Sequence, residues 1–215
     1  MTQYPLELEL KFQADDERPL DELTHAGRLG PASLGPANSV DETDRYLDTV
    51  DLRLAARRWA CRLRTRDGRT VVSLKGPAEH TAGALLHRRP ELEGSAADDL
   101  EPSHWPPSPA RDLLRTMSGG RPLLERFTLS QRRTERPVHI AERRCGLLSL
   151  DRSRVQLAGR QVGLLRIVEL ELDPSAVQSG LDPEPLARAL SLVAGLHPDA
   201  ATKLEHALQL LQVEA

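Results

Sequence analysis

The 215-residue chain is poor in rings and in sulfur, with two tryptophans, two tyrosines, two phenylalanines and two cysteines. Cys61 and Cys145 supply neither a disulfide framework nor a zinc cluster. So few aromatics leave no stacking platform for single-stranded nucleic acid. A formal charge of −3 gives no global attraction to a phosphate backbone. No apolar run reaches the length of a membrane-spanning helix, and none at the N-terminus reads as a signal peptide. A soluble, cytoplasmic protein without nucleic-acid or membrane partners is the expectation. The core must rest on Leu, Val and Ala.

What the chain has is charge, 28% of its residues, much of it at strand spacing. Residues 6–12 alternate Glu7, Glu9 and Lys11 with Leu8, Leu10 and Phe12. Further strand-like stretches are TDRYLDT, ACRLRTR, TVVSLKG, HRRPELEG, FTLSQRRTERPVHI, RCGLLSLDRSRVQL and VGLLRIVELELD. Asp67-Gly68-Arg69 between two of them is a hairpin signal. Helical spacing predicts helices within 15–30, 108–118, 183–196 and 199–213. DLRLAARRW reads as a short helix capped by Asp51, and residues 31–40 as a turn region. No linker divides the chain, so residues 1–215 are expected to form one α+β domain dominated by antiparallel strands.

The charged faces tend to carry a single sign. Glu7 and Glu9, Glu91 and Glu93, and Glu169 and Glu171 are acidic pairs two residues apart, while Arg62 and Arg64 form a basic one. Such pairs are unfavourable unless something opposite neutralises them. Closing the sheet into a barrel, with charges inside and leucines outside under a coat of helices, supplies that partner. An interior holding so many ions is a site rather than a core. Carboxylate clusters with oxygen-only ligands suit Mg²⁺ or Mn²⁺, and facing Arg and Lys groups suit a phosphate chain. The faces together point to a polyphosphate site.

These residues resemble the CYTH, or triphosphate tunnel metalloenzyme, superfamily. Glu7, Glu9 and Lys11 match its E-x-E-x-K signature. RYLDTVDLRLAARRWACRLRTR, SLKGP with Lys75, and Arg89, Glu91 and Glu93 as R-x-E-x-E follow in the family's order. Arg133 (Arg132 in the other strand phase), Asp151, the Glu169/Glu171 pair and Lys203 complete the series, which runs from Glu7 to about Leu210. The resemblance implies a closed eight-stranded antiparallel β-barrel with helices packed outside. It implies metal ligation by Glu7, Glu9, Glu169 and Glu171, with Mg²⁺ or Mn²⁺ as cofactor. Lys11, Arg62, Arg64, Lys75, Arg133 and Lys203 would bind phosphate oxygens, with Lys11, Glu7 and Glu9 central to catalysis and Glu7 the candidate proton acceptor. Arg89, Glu91, Glu93 and Asp151 would support them.

The activity implied is metal-dependent hydrolysis of a small-molecule triphosphate, inorganic triphosphate first, to pyrophosphate and phosphate. Thiamine triphosphate hydrolysis, a class IV-type adenylate cyclase and a non-catalytic polyphosphate-binding module are the alternatives. The sequence leaves the oligomeric state open. Tyr46 and Trp59 read as packing residues. Arg57, Arg58, Arg88, Arg143 and Arg144 read as solvated residues in turns or helices, and none of the seven histidines shows a paired metal-ligand spacing.

Overall fold

The computed structural model describes residues 4–79 and 85–213, so His80 lies outside the described residues. Among the described residues eleven strands form one sheet: β1 (Leu6–Ala14), β2 (Arg28–Leu29), β3 (Ala32–Leu34), β4 (Asn38–Thr49), β5 (Ala60–Arg66), β6 (Arg69–Lys75), β7 (Leu86–Ala96), β8 (Leu123–Ile140), β9 (Arg143–Leu157), β10 (Arg160–Leu172) and β11 (Leu196–Pro198). The order β4-β5-β6-β7-β1-β10-β9-β8 returns to β4, every pair antiparallel, and closes an eight-stranded barrel. β3 extends the pairing of β8, β2 pairs with β3, and β11 pairs with β1 where β7 leaves it. The expected α+β barrel is present.

Turn chemistry sets the hairpins. Asp67 (φ 50°) and Gly68 (φ 72°) are both left-handed, the two-residue turn whose twist matches its flanking strands. Ala158 and Gly159 make the same turn between β9 and β10. Several local expectations need correction. The first helix, α1, covers only Arg18–His25, because residues 28–34 pair as β2 and β3. The residues expected as turn are strand from Asn38 onward. The short helix is a single 3₁₀ turn, Ala55–Arg57, and Asp48 rather than Asp51 organises it. The Asp48 carboxylate accepts from the backbone N–H of Thr49, Leu54 and Ala55, whereas Asp51 pairs with Arg53. Arg88 lies on β7, and Arg143 and Arg144 on β9, rather than in turns or helices.

The remaining helices are α2 (Pro109–Ser118), α3 (Pro174–Gln178), α4 (Glu184–Ser191) and α5 (Lys203–Val213). Ser108 caps α2 by accepting from Arg111 N–H, and Gly119 ends it at φ 61°. Two apolar clusters lie between the barrel wall and its coat. Leu8, Leu10, Phe12, Leu148, Leu150, Val168 and Leu170 are buried with Leu20 and Leu23 of α1 and Leu186 and Leu190 of α4. Leu63, Val72, Leu74 and Leu92 are buried with Trp105 and with Ala110, Leu114 and Met117 of α2.

The third cluster departs from expectation. Tyr46, Phe127, Leu129, Val155, Leu165 and Ile167 lie on the same strand faces as Asp44, Gln131, Ser153 and Glu169, so they line the inside of the barrel. Leu204, Ala207 and Leu210 of α5 pack against them. Thus α5 is not part of the outer coat; it closes the apolar end of the barrel. Gly163 makes room for it, since a Cβ there would stand 2.5 Å from Leu210 Cδ1. Among the described residues no helix is long and apolar enough to cross a membrane.

Candidate active site

Strand alternation turns the odd-numbered residues of β1 inward, and the register aligns them with partners on both sides. Glu9 faces Glu171 across to β10, Lys11 faces Glu169, and Glu7 faces Arg89 across to β7. These side chains line a cavity of about 380 Å³. Glu7, Glu9, Lys11, Arg62, Arg64, Lys75, Arg89, Glu91, Glu93, Arg133, Glu169, Glu171 and Lys203 all border it. Of the expected set only Asp151 does not; it is fully buried behind Arg133 and Lys203. Arg133 is the inward residue, while Arg132 is exposed on the outer face.

The carboxylates and cations are interlocked. Glu7 accepts from Lys75 Nζ at 2.6 Å and from Arg89 Nε at 2.5 Å, one on each oxygen. Arg89 Nη2 also lies 3.0 Å from Glu9, bridging the two acidic residues of β1. Lys203 Nζ donates to Asp151 at 2.5 Å and to Glu169 at 2.7 Å. Arg133 makes a two-point pair with Asp151, both bonds 2.7 Å, and reaches Glu169 at 3.4 Å. Lys11 donates to the Ala201 carbonyl, just before α5. Glu91 accepts from Ser73 and lies 3.2 Å from Lys75, while Glu93 is exposed at the rim.

Burial and pairing pull these acids apart. Burial alone would raise Glu7, but Lys75 and Arg89 outweigh it and bring its pKa down to about 2. Glu169 is likewise held well below the carboxylate range, against burial, by Lys203, Lys11 and Arg133. Glu9 is raised, by burial and then by Glu7 and Glu169, against the pull of Arg89. Glu171 has no ion pair or hydrogen bond to a described residue; burial and the carboxylates of Glu7, Glu91 and Glu9 push it up to about 7. Burial lowers Lys11, with Glu169 and Glu9 opposing.

The sequence reading missed the layer behind the arginines. Asp44, fully buried, accepts two bonds from Arg64, at 2.8 and 2.9 Å, and one from Arg62 at 3.4 Å. Gln131 donates to both Glu42 and Asp44 and accepts from Ser153. Glu42 also lies 3.2 Å from Arg64 and 3.3 Å from Arg66. The signal was there: Glu42, Asp44 and Tyr46 alternate like the acidic pairs, but on a strand that begins upstream of the stretch assigned to it. Arg58, Trp59 and Tyr46 also border the cavity, Arg58 as an exposed residue and the two rings as packing residues. Trp59 additionally meets Tyr4 edge-on, and Tyr46 stacks on Phe127.

Among the described residues, Arg62 Nε is the one buried side-chain nitrogen or oxygen without a hydrogen-bond partner. No three acidic, histidine or cysteine side chains among the described residues stand close enough together to hold a metal ion. The donor set itself, all carboxylate oxygen, fits a hard divalent cation.

The fold recurs in solved structures. A Hippeastrum protein named an adenylyl cyclase, and described as having a dominant triphosphatase activity, is 19% identical with a TM-score of 0.64; the match covers 94% of this chain and 95% of that one. A Bacillus halodurans protein named an adenylate cyclase is 21% identical with a TM-score of 0.58, covering 94% and 97%. A Pyrococcus horikoshii protein is 18% identical with a TM-score of 0.55, covering 94% and 98%. No curated protein sequence matches the chain. The CYTH domain description matches residues 5–207, nearly the whole chain, and the protein belongs to the CYTH domain family.

Proposed function

We propose that this protein is a divalent-metal-dependent triphosphatase that splits inorganic triphosphate into pyrophosphate and orthophosphate inside the barrel. The observation that carries this reading is one cavity lined by the cations of Lys11, Arg62, Arg64, Lys75, Arg133 and Lys203 beside the carboxylates of Glu7, Glu9, Glu169 and Glu171. A linear anion with many acceptor oxygens matches these cations, and the carboxylates alongside offer the oxygen ligands that a hard divalent cation takes. The triphosphatase activity described for the Hippeastrum neighbour agrees with this reading.

Glu7, Glu9, Glu169 and Glu171 would hold the cation, Mg²⁺ or Mn²⁺ by their donor chemistry. Such an ion, when bound, neutralises phosphoryl oxygens and acidifies a water for attack. The chain's own residues bind and orient. Asp44 fixes the forks of Arg62 and Arg64, and Asp151 that of Arg133, so these guanidiniums meet phosphate oxygens already aimed. Lys11, Lys75 and Lys203 place ammonium charge where it develops on the phosphoryl oxygens. Glu7, held ionised by Lys75 and Arg89, suits ligation better than proton acceptance. Beyond the cations the apolar end closed by α5 excludes water from one side.

The test is product identification. Tripolyphosphate with Mg²⁺ or Mn²⁺ should yield orthophosphate and pyrophosphate one to one, and exhaustive chelation should stop it. Full turnover in chelator, or formation of cyclic AMP from ATP with tripolyphosphate left intact, would show the assignment to be wrong.

A further inference from the structure

The chain has three lysines, Lys11, Lys75 and Lys203, and all three border the cavity; everywhere else its basic residues are arginine. An arginine at these places would supply the same charge, but as a rigid fork. A lysine supplies a compact charge on a flexible stem that changes partner by rotation about single bonds. Two of the three are now bound to the very carboxylates that a metal would need. Lys75 sits on Glu7, whose other oxygen is taken by Arg89, and Lys203 sits on Glu169 and Asp151. Glu171 alone of the four candidate ligands carries no such partner, and one carboxylate is a weak site for a divalent ion.

We propose that Lys75 and Lys203 are exchangeable counterions, which neutralise Glu7 and Glu169 in the free protein and move to the phosphate chain when it enters. This rests on the reading of the cavity as a triphosphate site. A chain of phosphates offers each ammonium several charged oxygens, while the released carboxylate oxygens become available to a divalent cation. The metal site is then completed by the substrate, and the two ligands bind cooperatively. Linkage makes the coupling reciprocal, so the metal also tightens the hold on the phosphate chain. The arginines do not take part in the exchange. Arg62, Arg64 and Arg133 keep their carboxylates, and Arg89 keeps Glu7 and Glu9 from repelling each other. A division of labour between fixed guanidiniums and movable ammoniums explains why lysine is confined to this place.

The decisive measurement is Mn²⁺ binding to the substrate-free protein, by calorimetry or by the free-ion electron paramagnetic signal. Lys75→Met and Lys203→Met should each bind Mn²⁺ at least tenfold more tightly than the wild type. Arg64→Met, which removes the same charge from the same cavity but frees Asp44 and Glu42 instead, should change it by no more than about twofold. The two lysine variants are independent, so one serves if a melt shows the other to be unfolded. A second readout uses the three lysines directly. With ¹³Cε-lysine labelling, tripolyphosphate added in chelator should move the Lys75 and Lys203 signals, assigned by the same variants. Unchanged or weaker Mn²⁺ binding in the folded lysine variants, or a tightening equalled by Arg64→Met, overturns the exchange. If tripolyphosphate neither binds nor is hydrolysed while the Mn²⁺ result holds, the substrate assignment has failed instead.

Discussion

Asp44 and Tyr46 stand two residues apart on β4, point into the same barrel, and belong to different chemistry. Around Asp44 the lumen is a lattice of ion pairs with Arg62 and Arg64 and a hydrogen bond from Gln131, with Arg133 paired to Asp151 beyond them. Around Tyr46 it is a close-packed core of Phe127, Leu129, Val155, Leu165 and Ile167 under α5. The strand alternation is the same in both halves, so it decides only which residues face inward. What those residues do depends on whether their neighbours across the lumen are charged or apolar. The apolar half contributes stability by burial, on the order of 1.5–3 kcal/mol for each large side chain. The ionic half contributes little net stability, because desolvation consumes most of the attraction between its charges. On the proposed function it is there to bind, and substitutions in the two halves should separate cleanly.

The largest separation is expected from Glu9→Gln in the charged half. Removing one of the carboxylates proposed to hold the cation should lower tripolyphosphate turnover by at least about 10⁴-fold, roughly 5.5 kcal/mol of transition-state binding. The metal-free fold should melt no lower than the wild type, because burial and the neighbouring Glu7 and Glu169 already disfavour the charge at Glu9. A clear drop in melting temperature with turnover intact would reverse the division between the halves. Phe127→Ala in the apolar half should do the opposite. It deletes a buried ring that stacks on Tyr46 and should cost about 3–5 kcal/mol of stability. Turnover per folded molecule, measured well below the melt, should stay within a few-fold of the wild type.

The same contrast explains what could be read from the sequence. The charged half was legible because single-sign pairs such as Glu169 and Glu171 are improbable on an ordinary solvated face, and because their order along the chain matches a family. The apolar half was not. Leu165 and Ile167 continue the inward face of Glu169 and Glu171 along β10, yet leucine and isoleucine on a strand look alike whether they face a lumen or a helix coat. The placement of α5 depends on that distinction, as does the small residue at Gly163. Asp44 lies within TDRYLDT, but its partner in the acidic pair, Glu42, falls one residue before that stretch, so no pair was visible there. The helical spacing on either side places His197 and Pro198 between two helices, but β1 outruns β7 and leaves an open edge that the segment fills as β11.

A smaller effect tests how far the charged half reads anything besides phosphate. The charged residues are the larger part of the named cavity wall, so binding energy should come from the phosphates. The expected kcat/KM is about tenfold or more higher for inorganic triphosphate than for ATP at matched free metal, about 1.4 kcal/mol. Equal or better use of ATP would point to Trp59 and Arg58 at the cavity wall as a surface that holds a nucleoside.

The smallest expected effect is a pH-dependent one at Glu171, and it separates the two halves by sign. Burial, then the carboxylates of Glu7, Glu91 and Glu9, raise its pKa from the usual 4.5 to about 7. A carboxyl whose folded-state pKa is raised binds its proton more tightly in the folded than in the unfolded chain. Its contribution to stability is therefore complete below about pH 4.5 and is lost as the pH rises through about 7. Above that, the ionised side chain is a net cost in metal-free protein. The residue is exposed at the lumen rim, so solvent screening reduces that cost to about 1 kcal/mol. Glu171→Gln removes it, and in chelator at pH 8 the variant should melt about 2–4 °C above the wild type. At pH 4 the two should melt together, since below about 4.5 Glu171 is protonated in the folded and the unfolded chain alike. Phe127→Ala, with no titrating group, should lose the same stability at both pH values. A Glu171→Gln variant that melts lower than the wild type at pH 8 would mean that the carboxylate makes a stabilising contact, and that the charged half contributes to the fold as the apolar half does.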